Sequence, residues 1–192
     1  IHFELTENDE LQYEFFAETD RATAINLTHH SYFNLHNGQG KIDNHIIRIA
    51  SDRILEQDDN FVVTGKEIPV AGTRYDFIQP RPVGRDWIAE DGYDQSFVLH
   101  ESNGGLQLAA EVQSENADLS LQVYTTEPLV HFYTGKWIPP LKGKNDTAYG
   151  PFSGLCLETQ KHPNAVNIPH FPNTILRPGE TYRTKTVYKI IR

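Results

Sequence analysis

The sequence predicts an all-β protein, built as an antiparallel sandwich or barrel. Three observations predict it. Apolar and polar residues alternate over several short runs, clusters of turn-forming residues separate those runs, and helical periodicity is scarce along the 192 residues. Alternation at period two marks a half-buried strand, and a polar cluster between two such runs marks a hairpin.

The elements follow in chain order. Ile1, Phe3 and Leu5 alternate with polar residues; after the turn "ENDE", Leu11, Tyr13, Phe15 and Ala17 alternate again. The stretch "TAINLTHHSYFNLHNG", from Thr23 to Gly38, sets His29 and His30 between an apolar run and an aromatic pair. Neighbours on a strand point to opposite faces, so the two imidazoles are expected to serve different surroundings. Long connections are expected over 56–92 and 136–152, with a helical turn or two in "RDWIAEDG" before Gly92. Such loops often carry a site in an all-β protein. Leu106, Leu108, Ala110 and Val112 form another strand pattern, with "SNGGL" as a hairpin turn before it. The turn "SENAD" leads to Leu119, Leu121 and Val123. Pro178-Gly179 in "RPGE" favours a type II turn, ahead of Tyr182, Thr184, Thr186, Tyr188 and Ile190. Glycine and proline are spread through the chain, so no domain boundary is visible and residues 1–192 are expected to form a single domain.

Composition narrows the function. Hydrophobic residues make up 38% and aromatics 11%, which is enough for a packed core. The formal net charge of −9 repels phosphate backbones and argues against a nucleic-acid partner. No apolar run approaches the roughly 20 residues of a membrane span, and no signal peptide opens the chain. The lone cysteine, Cys156, cannot build a disulfide framework and is expected to be a buried thiol, in keeping with a reducing, cytoplasmic setting. The chain starts at Ile1 and has no methionine, so it is expected to be processed or cut from something longer.

Nine histidines invite a metal reading, but HExxH, CxxC and calcium-loop spacings are absent, so no metal is expected. No GxSxG and no phosphate-cradling glycine loop occurs. The remaining candidates for chemistry are His30, Asp94 in "DGYDQSFVL", and Glu158 in "GLCLETQKHPN". Leu155 and Leu157 mark one face of a strand, with Glu158 expected at its end, either solvated like most glutamates or aimed into a pocket. Spacing alone does not connect His30 with Glu158.

Four segments, in this order, resemble the aldose 1-epimerase (galactose mutarotase) family: "INLTHHSYFNL", "GYDQSFVL", "VYTTEPLVHFYTG" and "GLCLETQKHPNAVNIPHFPNTILRPGETY". Thr28, His30, Tyr32, Phe33, Asn34 and Leu35 match the family string Asn-x-Thr-Asn-His-x-Tyr-Phe-Asn-Leu, while His29 stands where asparagine is usual. The resemblance implies a β-sandwich of the galactose mutarotase type. It implies an enzyme that needs no cofactor and interconverts the α and β anomers of a free hexose such as galactose or glucose. His30 would be the general acid and Glu158 the general base, on either side of the sugar ring in one shared cavity. Asp94 would bind sugar hydroxyls, and His131, where the family commonly has glutamine, would help to bind the sugar. Gln95 and Lys136 replace a frequent histidine and asparagine, changes expected to bear on sugar preference. A histidine acting as an acid near neutral pH calls for carboxylates beside it.

The resemblance covers only the C-terminal portion of the family. The N-terminal portion, with its arginine and histidine motifs, is not found here. A C-terminal portion alone is expected to leave strand edges and apolar faces bare, and to pair with a missing N-terminal segment or to self-associate. Two other functions compete. A hexose-6-phosphate epimerase would need a basic pocket, for which Arg74, Arg81 and Arg85 are the candidates. A non-catalytic carbohydrate-binding module would use His30 and Glu158 only as hydrogen-bonding groups.

Overall fold

The fold is described from a computed structural model of the chain, which covers residues 1–88, 91–100, 104–116 and 118–192. Its strands are β1 (His2–Leu5), β2 (Glu10–Ala17), β3 (Thr23–Ala24), β4 (Ile46–Ile49), β5 (Arg53–Gln57), β6 (Val63–Pro69), β7 (Arg81–Pro82) and β8 (Asp94–Val98). They continue as β9 (Gln107–Gln113), β10 (Ser120–Thr125), β11 (Leu129–Tyr133), β12 (Leu141–Lys142), β13 (Ala148–Tyr149), β14 (Cys156–Gln160), β15 (Ile175–Leu176) and β16 (Tyr182–Ile191). A seven-stranded sheet runs β1-β2-β16-β10-β9-β4-β7, and a five-stranded sheet runs β14-β11-β8-β5-β6. Among the described residues, the strand pairings in the two sheets are antiparallel.

The predicted hairpins form. Phe3 pairs with Tyr13 and Leu5 with Leu11, around a turn closed by the Thr6 N–H donating to the Glu10 carbonyl at 2.9 Å. Val112 pairs with Leu121 in the β9–β10 hairpin. Gly179 has φ of +84°, and the Glu180 N–H donates to the Arg177 carbonyl at 3.0 Å, as a type II turn requires. Ala89 and Glu90 of the expected helical turn, Ser102 and Asn103 of "SNGGL", and Ala117 of "SENAD" lie outside the described residues.

Two expectations are corrected. The 56–92 connection holds β6, which pairs with β5, and β7, which pairs with β4. The 136–152 connection holds the small β12–β13 ribbon. Both stretches carry glycine and proline punctuation that hides short strands. The His29–His30 segment is extended but is not a strand; its one bridge joins Phe33 to Leu155.

The core lies between the two sheets. Tyr13, Ile47, Val112, Leu121 and Tyr188 from one sheet meet Phe97, Val130, Phe132 and Leu157 from the other. Some polar groups cross this interface as hydrogen-bonded pairs. The Tyr188 hydroxyl donates to the Leu157 carbonyl at 3.1 Å, and the Thr159 hydroxyl meets Thr186 at 2.6 Å. The outer strand β1 is exposed along its length: Phe3 and Leu5 are 48% and 79% exposed, and Ile1 just before it is 75% exposed. This is the bare apolar edge expected from the sequence.

Gly135 lies just after β11, in the loop that returns to β14. Its φ is +71°, and an added Cβ would sit 2.4 Å from the Gly154 carbonyl oxygen. Replacing it imposes both backbone strain and a clash on rigid main chain. The Gly135→Ala variant is expected to lose about 2 kcal/mol of stability, read as a lower urea midpoint at unchanged slope. A midpoint equal to wild type would contradict this account.

Candidate active site

Strand alternation builds the site. On the five-stranded sheet Phe97, Val130, Phe132 and Leu157 face the core, so Asp94, Ser96, His131, Tyr133, Cys156 and Glu158 face the other way. Register then sets who stands beside whom. His131 on β11 pairs directly with Ser96 on β8 and with Glu158 on β14. The three form one row across three strands.

His131 is held at both nitrogens. Its Nε2 lies 2.7 Å from Asp94 Oδ1, and its Nδ1 lies 2.9 Å from the Ser96 hydroxyl. His30 enters from the extended segment before Phe33. Its Nε2 is 3.5 Å from Glu158 Oε1, and its Nδ1 is 3.3 Å from the Cys156 sulfur. His29 turns the other way, with ring centroids 5.2 Å from Tyr13 and 5.6 Å from Phe3. The two imidazoles therefore diverge as expected, on extended backbone rather than on a strand.

His30, Asp94, His131 and Glu158 line one cleft of about 550 Å³, walled by Tyr32, Phe61, Tyr133 and Trp137. That volume lies in the range of small-molecule sites. The Tyr133 hydroxyl accepts the Trp137 N–H at 2.6 Å and ties the 136–152 loop to the cleft. An adjoining apolar cavity of about 530 Å³ lies beyond Tyr32 and Trp137 and contains no carboxylate or imidazole in its lining, so the acid–base groups belong to the first.

Glu158 sits in the middle of β14, not at its end, and is only 8% exposed. The solvated alternative is thereby overturned. Burial pushes its carboxyl above the ordinary glutamate value, while His131 and His30 pull it down and Asp94 pushes it up. His30 and Glu158 line one shared cavity, with His30 Nε2 and Glu158 Oε1 3.5 Å apart.

Three further expectations change. Gln95 is buried on the opposite face from Asp94, where its side-chain amide donates to the Leu55 carbonyl. Lys136 pairs with Asp91 at 2.8 Å. Neither lines the cleft. The arginines do not line it either: Arg81 pairs with Asp86, and Arg74 donates to the Gly92 carbonyl and packs over Tyr93.

The donor atoms of His30, Cys156 and Glu158 lie within 4.8 Å of one another. Both His30 nitrogens are already engaged, and burial, reinforced by Glu158 and Asp94, holds the thiol well above its ordinary value. A protonated thiol is a poor ligand, so the trio is better described as a His30–Cys156 hydrogen bond beside a His30–Glu158 ion-pair contact than as a metal cage. Sequence reasoning did not single out Ser96 and Tyr133, which line the cleft, or Cys156, which is buried on the same face. The signal was present, since each lies two positions from a candidate on the same strand.

An aldose 1-epimerase family model matches residues 1–189 of the chain. The chain is 43% identical over 186 residues to the galactose mutarotase of Mus musculus, covering 94% of this chain and 54% of that protein. It is 32% identical over 199 residues to the aldose 1-epimerase of Escherichia coli strain K12, covering all of this chain and 58% of that one. The chain thus spans about half the length of the curated relatives it matches. A solved GalM/aldose epimerase homologue from C. elegans superposes with a TM-score of 0.89 at 28% identity, over 99% of this chain and 58% of that one. Among the described residues, no helix is long and apolar enough to cross a membrane.

Cys156 is fully buried and its thiol is held protonated by its surroundings. In the folded protein at pH 8 it is expected to resist a thiol-specific chromogenic disulfide reagent for hours. One equivalent should react once denaturant is added, since the chain has one cysteine. Rapid stoichiometric reaction of the folded protein would contradict the burial.

Proposed function

This chain belongs to the aldose 1-epimerase family, and on that premise we propose that it interconverts the α and β anomers of a free hexose such as galactose or glucose. The observation that carries this reading is the His30–Glu158 contact at 3.5 Å, opening on a cleft that Asp94 and His131 also line.

Anomer exchange moves two protons at one carbon. The hydroxyl at C1 must lose a proton while the ring oxygen gains one; the ring then opens to the aldehyde. Rotation about C1–C2 turns the other carbonyl face toward the hydroxyl at C5, and reclosure gives the second anomer. Both reacting oxygens are bonded to C1. An acid and a base in contact with each other therefore suit the reaction better than a pair separated by the width of a ring.

Glu158 acts as the base. Burial strengthens it toward protons, and the two imidazoles favour its ionised form, so it combines basicity with availability. His30 acts as the acid. Its ring is half-exposed and next to the carboxylate, so after the first transfer the pair can exchange roles for reclosure. Asp94, partly exposed and fixed by His131, accepts hydrogen bonds from sugar hydroxyls. The acid limb of turnover belongs to Glu158: activity falls as pH drops through its raised pKa, above the range of an ordinary glutamate.

Polarimetry of freshly dissolved α-galactose and α-glucose tests the assignment. Glu158→Gln and His30→Asn are each expected to lower turnover by about 10²–10⁴-fold. His29→Asn, remote from the cleft on the aromatic side, is expected to stay within about threefold of wild type, as a substitution outside the proton-transfer groups should. Equal losses at His29 and His30 would contradict the divergence of the two rings. Sugar binding without acceleration in the wild-type protein would favour a non-catalytic module.

A further inference from the structure

His131 has both ring nitrogens bound, to Asp94 at 2.7 Å and to Ser96 at 2.9 Å. A ring held in this way has no free nitrogen to offer a sugar. It also occupies the strand position directly opposite Glu158. These facts point to a role other than substrate contact.

We propose that His131 is a positioning residue that clamps the Asp94 carboxylate and sets a proton-dependent positive charge beside Glu158. The proposal deepens the acid–base assignment above and rests on it.

The electrostatics follow from the groups that face the ring. Asp94 and Ser96 approach from β8, Glu158 from β14, with the buried Cys156 two residues along the same strand face, His30 from the segment before Phe33, and Tyr133 from β11 itself. Lys136, the nearby lysine, is paired with Asp91 and does not enter the cleft. Cys156 is held neutral and Ser96 is uncharged. The charges that answer to proton uptake by His131 are therefore the two carboxylates and His30. When His131 carries two protons it donates to both Asp94 and Ser96 and favours an ionised Glu158, opposing the effect of burial. When it carries one, the Asp94 clamp persists through Nε2–H, Ser96 donates to Nδ1, and the charge beside Glu158 is gone.

Clamp and charge are separable by substitution. Glutamine keeps an amide donor for Asp94 but has no titratable charge; alanine has neither. In H131Q the acid limb of kcat is expected to move up by about one pH unit, because Glu158 loses a neighbouring cation. In H131A the same shift is expected, together with a rise in KM of about tenfold or more from an unclamped Asp94. A merely structural role would lower stability without moving the acid limb, and would not separate the two variants in KM.

A second measurement does not depend on turnover. The Glu158 side-chain carboxyl carbon, followed by NMR across pH in the intact protein, should titrate at higher pH in H131Q than in wild type. A midpoint that stays put or falls in H131Q overturns the charge role. Equal KM values in H131A and H131Q overturn the clamp. Retained turnover in Glu158→Gln would instead overturn the acid–base assignment, and the carboxyl titration would still decide the role of His131.

Discussion

The site rests on one constraint: the register of three antiparallel strands. Ser96, His131 and Glu158 stand in a row only because β8, β11 and β14 pair as they do. A slip of one residue in β11 would send His131 to the core and bring Phe132 into the cleft. The register is held from the other face, where Phe97, Val130, Phe132 and Leu157 fill the space between the sheets. The apolar core thus fixes the positions of polar groups it never touches. Site geometry of this kind benefits from rigid strands, since side chains there are located by packing rather than by loop conformation.

The same arrangement settles the electrostatic state of Glu158. A carboxylate buried this deeply would favour its neutral form if left alone. His30 and His131, on two sides of it, oppose that tendency. Neither influence by itself makes a useful base. Burial without imidazoles leaves the group protonated, and imidazoles without burial leave it a weak acceptor of protons. The contact between His30 and Glu158 also matches the proposed reaction, in which both reacting oxygens share one carbon.

The second side of the cleft comes from loops, and the chain anchors them to the same sheet. Trp137 is tied by its backbone to the Tyr133 hydroxyl, and Phe61 projects from the β5–β6 hairpin. Gly135 makes the turn that brings the first of these loops back toward β14. Against these anchored walls, β1 stands out as an outer strand with two exposed apolar residues, Phe3 and Leu5. Phe3 rests against Tyr13 and His29, while Leu5 is largely exposed.

Much of the fold was legible in the sequence because period-two alternation and turn residues are local signals. The hairpins at Ile1–Ala17 and Leu106–Val123 and the last strand show it, as does the type II turn at Gly179. Short strands such as β7 and β12 were not legible, since two residues are too few to show a period. The identities of His30, Asp94, His131 and Glu158 came from motifs, and strand alternation alone could have added Ser96, Tyr133 and Cys156. What the sequence determined, then, was which side chains share a face. Tertiary structure decided which faces meet: that Glu158 is buried and mid-strand, that His30 reaches it across 128 positions of chain, and that His131 is bound at both nitrogens while Gln95 and the arginines look elsewhere. Faces follow from the backbone repeat of a single strand, whereas distances between remote residues follow from how whole sheets pack.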